Sequence, residues 1–163
     1  MKVMIVGCGR VGADLADRLA RNGHRVTILD TSTQAFGRLS ADFAGTAIRG
    51  DGTDEDVLRR AGLAGADLFV ALSEGDNRNV LMAQLARETF AVPTVIAKVN
   101  DPVRAEAYRS VGLATLCRTT ILSDALVEYL GGATDGPRGV QAPTGHDHPL
   151  EAAPRKMAAD KGA

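Results

Sequence analysis

The chain has 163 residues, 45% of them hydrophobic and 24% charged, with a formal net charge of -1, the composition of one globular domain. That balance gives no electrostatic footprint for nucleic acid, no apolar run approaches the roughly 20 residues of a membrane span, and Gly7, Gly9 and Arg10 interrupt the start that a secretion signal requires. Cys8 and Cys117 are too few for a disulfide framework or a zinc quartet, so the expectation is a soluble, cytoplasmic protein.

Strand and helix patterns alternate through residues 1–131. Residues 2–6 are a short apolar run ending in glycine, the pattern of a buried parallel strand. Val11, Leu15, Leu19 and Ala20 follow at helical spacing until Asn22-Gly23 stops them. Residues 25–29 form the second strand with Asp30 at its end, and Ser32 or Thr33 is set to cap a helix reaching about Asp42. Residues 46–48 read as the third strand, and Thr53 as the cap of a short helix ending at Ala61-Gly62. The fourth strand is 68–72, with a long helix over 77–89. The fifth is 94–98, after which Asp101-Pro102 opens a helix with proline in its first turn. A weaker sixth strand at 113–117 precedes a final helix over 121–130. Six strands joined by right-handed crossovers predict an α/β, doubly wound parallel sheet in the order 3-2-1-4-5-6.

The composition changes at Gly131-Gly132. Residues 133–163 hold four of the six prolines and few bulky apolar residues beyond Leu150 and Met157. The expected organisation is a single domain over 1–131 and a disordered tail over 132–163. His146 and His148 stand in that tail without a third nearby ligand, so no metal is assigned.

Gly7-Cys8-Gly9-Arg10-Val11-Gly12 follows a strand and opens a helix in the first βαβ unit, the context that makes G-x-G-x-x-G a Rossmann dinucleotide fingerprint. Gly7 permits the turn, Gly9 lets a diphosphate approach the backbone, and Gly12 allows close helix–strand packing. The helix N-terminus offers N–H groups to the phosphates. Asp30, eighteen residues after Gly12, is placed to accept hydrogen bonds from ribose hydroxyls. Thr31 and Ser32 follow it with no adjacent arginine to pair a 2′-phosphate, which disfavours NADP. Arg10 opposes the helix dipole unless an anion sits there. Gly50-Asp51-Gly52-Thr53 ends the third strand at the same sheet edge and is a candidate adenine loop, with capping by Asp51 or Thr53 the structural alternative. Ser73, Asn79 and Lys98 fall at or beyond the ends of strands four and five, where this fold binds ligands. Cys8 lies at a helix N-terminus, a position that lowers a thiol pKa and permits redox response, though mostly one that accepts any small side chain.

A dehydrogenase needs a proton donor or base near the nicotinamide. His24 belongs to the opposite sheet edge, and neither Tyr108 nor Tyr129 is followed by lysine at the fourth position. The sequence carries no G-x-x-x-x-G-K-[ST] loop and assigns no catalytic residue. The final helix sets Ile121, Leu122, Ala125, Leu126 and Leu130 at helical spacing, an apolar face wide enough for both the sheet and a second copy.

Residues 1–12, the Asn-Gly-His-Arg-Val segment at 22–26, Gly50-Asp51-Gly52-Thr53 and the Leu-Arg-Arg-Ala-Gly-Leu segment at 58–63 together resemble the TrkA N-terminal domain, also called the RCK or KTN domain. Ala66-Asp67, Asn79, Lys98 and Tyr108 with Gly112-Leu113 extend the likeness over residues 1–131. The resemblance implies a cytoplasmic regulatory subunit, held at the inner face of the plasma membrane by its partner. That subunit binds NAD(H) or ADP/ATP and gates a multi-spanning potassium transporter as a homodimer or larger ring, alongside a second TrkA-like subunit in some systems. It carries Gly7, Gly9, Gly12 and Asp30 onto the dinucleotide fingerprint, Arg10 onto a phosphate contact, Asp51 and Thr53 onto the adenine side and Lys98 onto the phosphate side. A regulatory module of another cation channel or antiporter is the nearest alternative, and an NAD-dependent oxidoreductase the alternative of a different class. Relatives usually continue into a C-terminal ligand-binding domain where this chain has residues 133–163, and Arg118-Thr119-Thr120 stand where some ATP-binding relatives place an acidic metal ligand.

Overall fold

The computed structural model describes residues 1–131 and the backbone of Val140–Gln141. The strands are β1 (Lys2–Val6), β2 (Arg25–Asp30), β3 (Thr46–Arg49), β4 (Leu68–Ala71), β5 (Thr94–Lys98), β6 (Ala114–Leu116) and β7 (Val140–Gln141). The helices are α1 (Arg10–Arg21), α2 (Glu55–Arg60), α3 (Asp76–Gln84), α4 (Pro102–Ser110) and α5 (Arg118–Tyr129). Six strands pair in parallel in the expected order, β3-β2-β1-β4-β5-β6. To these the structure adds β7, which pairs antiparallel with β6. Apart from these two residues, the tail and its two histidines lie outside the described residues.

Alternation along the central strands sorts the core into two layers. Val3 and Ile5 of β1 join Val26, Ile28, Val70 and Leu72 on the face covered by α1. Met4 and Val6 point the other way, with Leu29, Phe69, Leu58 and Met82 beneath α2 and α3. α1 reaches its face with small residues: Gly12, Ala13 and Ala16 are buried, Leu15 and Leu19 half-buried, and Val11 is exposed rather than part of the apolar stripe. Gly12, Ala13 and Ala16 let the helix pack against the sheet, with Leu15 and Leu19 set against the same layer.

Local chemistry moves several boundaries. The stretch after β2 is a short 3-10 turn, Thr33–Arg38, without a side-chain cap from Ser32. Asp54, not Thr53, caps α2, accepting from the N–H groups of Asp56 and Val57. Asp101 caps α4 in the same way, with Pro102 in the first turn as expected. The long helix after β4 ends in a wider π turn, Leu85–Thr89. α5 begins at Arg118, three residues before the expected start, and buries none of its residues. Its apolar face does not cover the sheet; Leu122, Leu126, Tyr129 and Leu130 are exposed. Among the described residues, no helix is long and apolar enough to cross a membrane.

Candidate functional site

The carboxyl ends of β1, β2, β3 and β4 surround a cleft of about 360 Å³. Its floor is the turn from β1 into α1. Gly7 adopts φ +107° and donates its N–H to the Leu29 carbonyl at 2.7 Å. A side chain there would stand 2.8 Å from the backbone of Leu72 and Ser73. A Cβ on Gly12 would come 1.9 Å from the Gly7 carbonyl oxygen. Both glycines are therefore required by the protein's own packing. Gly9 is different: its φ is -75° and a Cβ would meet nothing within 4 Å. α1 starts on Gly9 with no side-chain cap and no acid in its first turn, so its terminal N–H groups and positive dipole end are unopposed.

Asp30 ties this loop to the end of β2. One carboxylate oxygen accepts the Cys8 N–H at 2.8 Å and the other the Ser32 N–H at 2.9 Å. Each oxygen keeps a second lone pair for another donor. Cys8 contributes backbone to the cleft, while its side chain is buried and donates to the Ala35 carbonyl at 3.4 Å. Burial, reinforced by the Asp30 charge, pushes the thiol pKa up. Desolvation and the neighbouring carboxylate both favour the thiol, opposite to the thiolate-favouring environment expected from the helix N-terminus.

Beside the cleft, one Asp51 oxygen accepts the Thr53 N–H at 2.9 Å and its hydroxyl at 2.8 Å. The other accepts from the Arg78 guanidinium at 2.6 Å. The Thr53 N–H leads these bonds in holding the Asp51 carboxyl below its ordinary pKa. Asn79 is fully buried. Its amide donates to the carbonyls of Ser73 and Lys98 at 2.9 and 3.0 Å, and its oxygen accepts the Ser73 hydroxyl at 2.8 Å. It thereby clamps the ends of β4 and β5. Lys98 reaches the Leu72 carbonyl at 3.4 Å; burial first, then the Arg118 charge, lowers its pKa.

Of the residues singled out in the sequence, Gly7, Cys8, Gly9, Asp30, Thr31 and Ser73 line the cleft. Asp51 and Thr31 share an adjoining concavity of about 370 Å³ with Arg49 and Gly50. Gly12, Thr53, Asn79 and Lys98 lie outside both linings, and Arg10 and Val11 stand exposed at the start of α1. Sequence reasoning missed Arg38, Glu74 and Arg78 in the cleft wall and Arg49 beside it. Arg38 and Arg78 sit on stretches expected to be helical, where one charge among many gives no signal. Arg49 was detectable: in a β3-β2-β1 order its strand end must lie beside Asp30, and the two are register partners.

The TrkA-N domain family model matches residues 3–119. The chain is 42% identical over 130 residues to a Trk system potassium uptake protein TrkA of Streptomyces coelicolor, covering 80% of this chain and 58% of that protein. It is 37% identical over 113 residues to a TrkA homolog of Methanothermobacter thermautotrophicus, covering 69% of this chain and 52% of the relative. The chain thus spans a little over half the length of these curated relatives. Among solved structures, the TrkA-N domain of the Escherichia coli inner membrane protein ybaL matches with TM-score 0.70 and 18% identity, over 79% of this chain and 96% of that one. The GsuK channel bound to NAD matches with TM-score 0.63 and 24% identity, over 80% of this chain and 23% of that one. These two likenesses establish the fold, a Rossmann-type doubly wound sheet. The family follows from the sequence matches and from a glycine turn, acidic strand end and third-strand loop gathered at one cleft: the chain belongs to the TrkA-N domain family.

Proposed function

We propose that this chain is the nucleotide-sensing part of a regulatory subunit of a potassium uptake system, binding NAD(H) or ADP/ATP in the cleft above β1 and α1. The observation that carries the reading is Gly9. It is the one glycine of the fingerprint that the protein's own packing does not require, and it stands where a diphosphate must approach the uncapped start of α1. In this reading Gly7, Cys8, Gly9 and Val11 present backbone to the phosphates and Arg10 meets them from the exposed rim. Asp30 and Thr31 take the ribose. Asp51, held by Thr53, faces the adenine side, and Ser73 lines the far wall, held from behind by Asn79, which also bonds Lys98. The partner is a multi-spanning potassium transporter subunit, which holds this cytoplasmic subunit at the inner face of the membrane. The chain has no catalytic step of its own.

Regulation requires a surface that feels the ligand. α5 offers Leu122, Leu126 and Leu130 on one exposed face, 61%, 57% and 82% accessible. Ile96 and Leu116 remain only partly buried on the sheet face shared with α1. A second copy covering these groups gives a homodimer, or the repeating contact of a ring. A nucleotide shifts its geometry through different affinities for the two arrangements. Titration calorimetry of the full chain with NADH, ADP and ATP, paired with solution scattering of each complex, tests both halves. Saturable binding with ligand-dependent profiles is expected; absence of binding to all three overturns the sensing reading, and a monomer in every state overturns the assembly.

A further inference from the structure

We infer that the cleft also takes adenine dinucleotides carrying a phosphomonoester on the adenosine ribose, as in NADP(H), with Arg38 and Arg49 holding that phosphate. The inference rests on the proposed nucleotide site and extends its ligand range. The argument starts from the end of β2. A ribose bound against Asp30 points its outer hydroxyls over Thr31 and Ser32. The chain places no arginine next to Asp30 in sequence, but pairing of β2 with β3 puts Arg49 directly across from it. Arg49 folds back over the strand end, its Nε donating to the Thr31 carbonyl at 3.3 Å. Arg38 approaches from the other side, on the 3-10 turn, and lines the cleft together with Asp30 and Thr31. Among the described residues, its guanidinium makes only a long 3.5 Å contact with the Ala35 carbonyl.

Pairing decides which arginines are available. Arg78, the third guanidinium at the cleft, is engaged by Asp51 at 2.6 Å. Arg38 and Arg49 make no ion pair with a carboxylate among the described residues. Asp30 is the obvious opposing charge, yet both its oxygens already accept backbone N–H bonds from Cys8 and Ser32. Two arginines with donors to spare, flanking Thr31 in adjoining concavities, match the planar fork that binds a phosphate dianion.

The test compares NADH with NADPH by calorimetry on the full chain and on Arg38→Gln and Arg49→Gln. Both side chains are exposed, so melting temperature is expected to stay unchanged in either variant. Wild type is expected to bind NADPH within about tenfold of NADH. Each substitution is expected to weaken NADPH about tenfold while moving NADH less than threefold. Wild type binding NADH but not NADPH overturns this inference and leaves the nucleotide site standing. NADPH binding that neither substitution weakens selectively overturns it as well, because the phosphate is then held elsewhere. Failure to bind either cofactor overturns this inference and confines the proposed site to ADP or ATP.

Discussion

Gly9 and Gly12 belong to one motif, and the structure assigns them opposite reasons. At Gly12 an added methyl would sit 1.9 Å from the Gly7 carbonyl oxygen, so the glycine turn and α1 must separate by more than an ångström. Overpacking against backbone of that kind costs about 3 kcal/mol. At this domain size each kcal/mol corresponds to about 4 °C in melting temperature, so Gly12→Ala is expected to melt about 12 °C lower. At Gly9 the methyl meets nothing. Losing glycine as an N-cap costs about 0.5–1 kcal/mol, and restricting the unfolded chain returns a similar amount. Gly9→Ala is therefore expected to melt within about 4 °C of wild type. Its methyl projects into the space where a diphosphate approaches, displacing a charge-assisted hydrogen bond worth about 1.5–3 kcal/mol. Affinity for NADH, ADP or ATP is expected to fall at least about tenfold. Calorimetry and thermal melts on the three proteins separate the two effects. A Gly9→Ala protein that binds like wild type would refute the reasoning about Gly9, and a Gly12→Ala protein that melts like wild type would refute the packing argument.

Asp30→Ala strands the Cys8 and Ser32 N–H groups, so melts are expected to show a loss of about 2 kcal/mol besides weaker nucleotide binding; an unchanged melting temperature would contradict that dual role. Cys8 and Cys117 are both buried, so a thiol reagent at neutral pH is expected to label neither until denaturant is added, and rapid native labelling of Cys8 would contradict its desolvated environment. The Asp51 carboxyl is held below its ordinary pKa, so its contribution is complete above about pH 4 and lost as pH falls through the lower folded value. The melting advantage of wild type over Asp51→Asn is expected to shrink on acidification below about pH 4, and an advantage constant from pH 6 to pH 3 would break the linkage. Leu126→Asp places a charge on the exposed face of α5 and is expected to convert the proposed dimer to monomer in scattering; an unchanged dimer would move the contact elsewhere.

What the sequence determined was whatever depends on neighbours along the chain. An apolar run ending in glycine placed β1 to the residue, the run at 94–98 placed β5 equally well, and the Asp101-Pro102 pair opened α4 where capping chemistry required. The alternation of strands and helices was enough for the strand order of the six parallel strands, since right-handed crossovers leave few other arrangements. The glycine fingerprint and Asp30 were legible for the same reason: their spacing lies within one βαβ unit. Contacts between distant segments were decided by tertiary structure. Val11 fits a helical stripe, yet the closeness of α1 to the sheet turned that stripe over to Gly12, Ala13 and Ala16. Cys8 follows a helix-terminus rule in sequence, but burial beside Ala35 raised its pKa instead. Arg49 is nineteen residues from Asp30 in the chain and its direct neighbour in the sheet. Electrostatics and packing act through space, so the groups that complete the cleft become neighbours only when the strands pair.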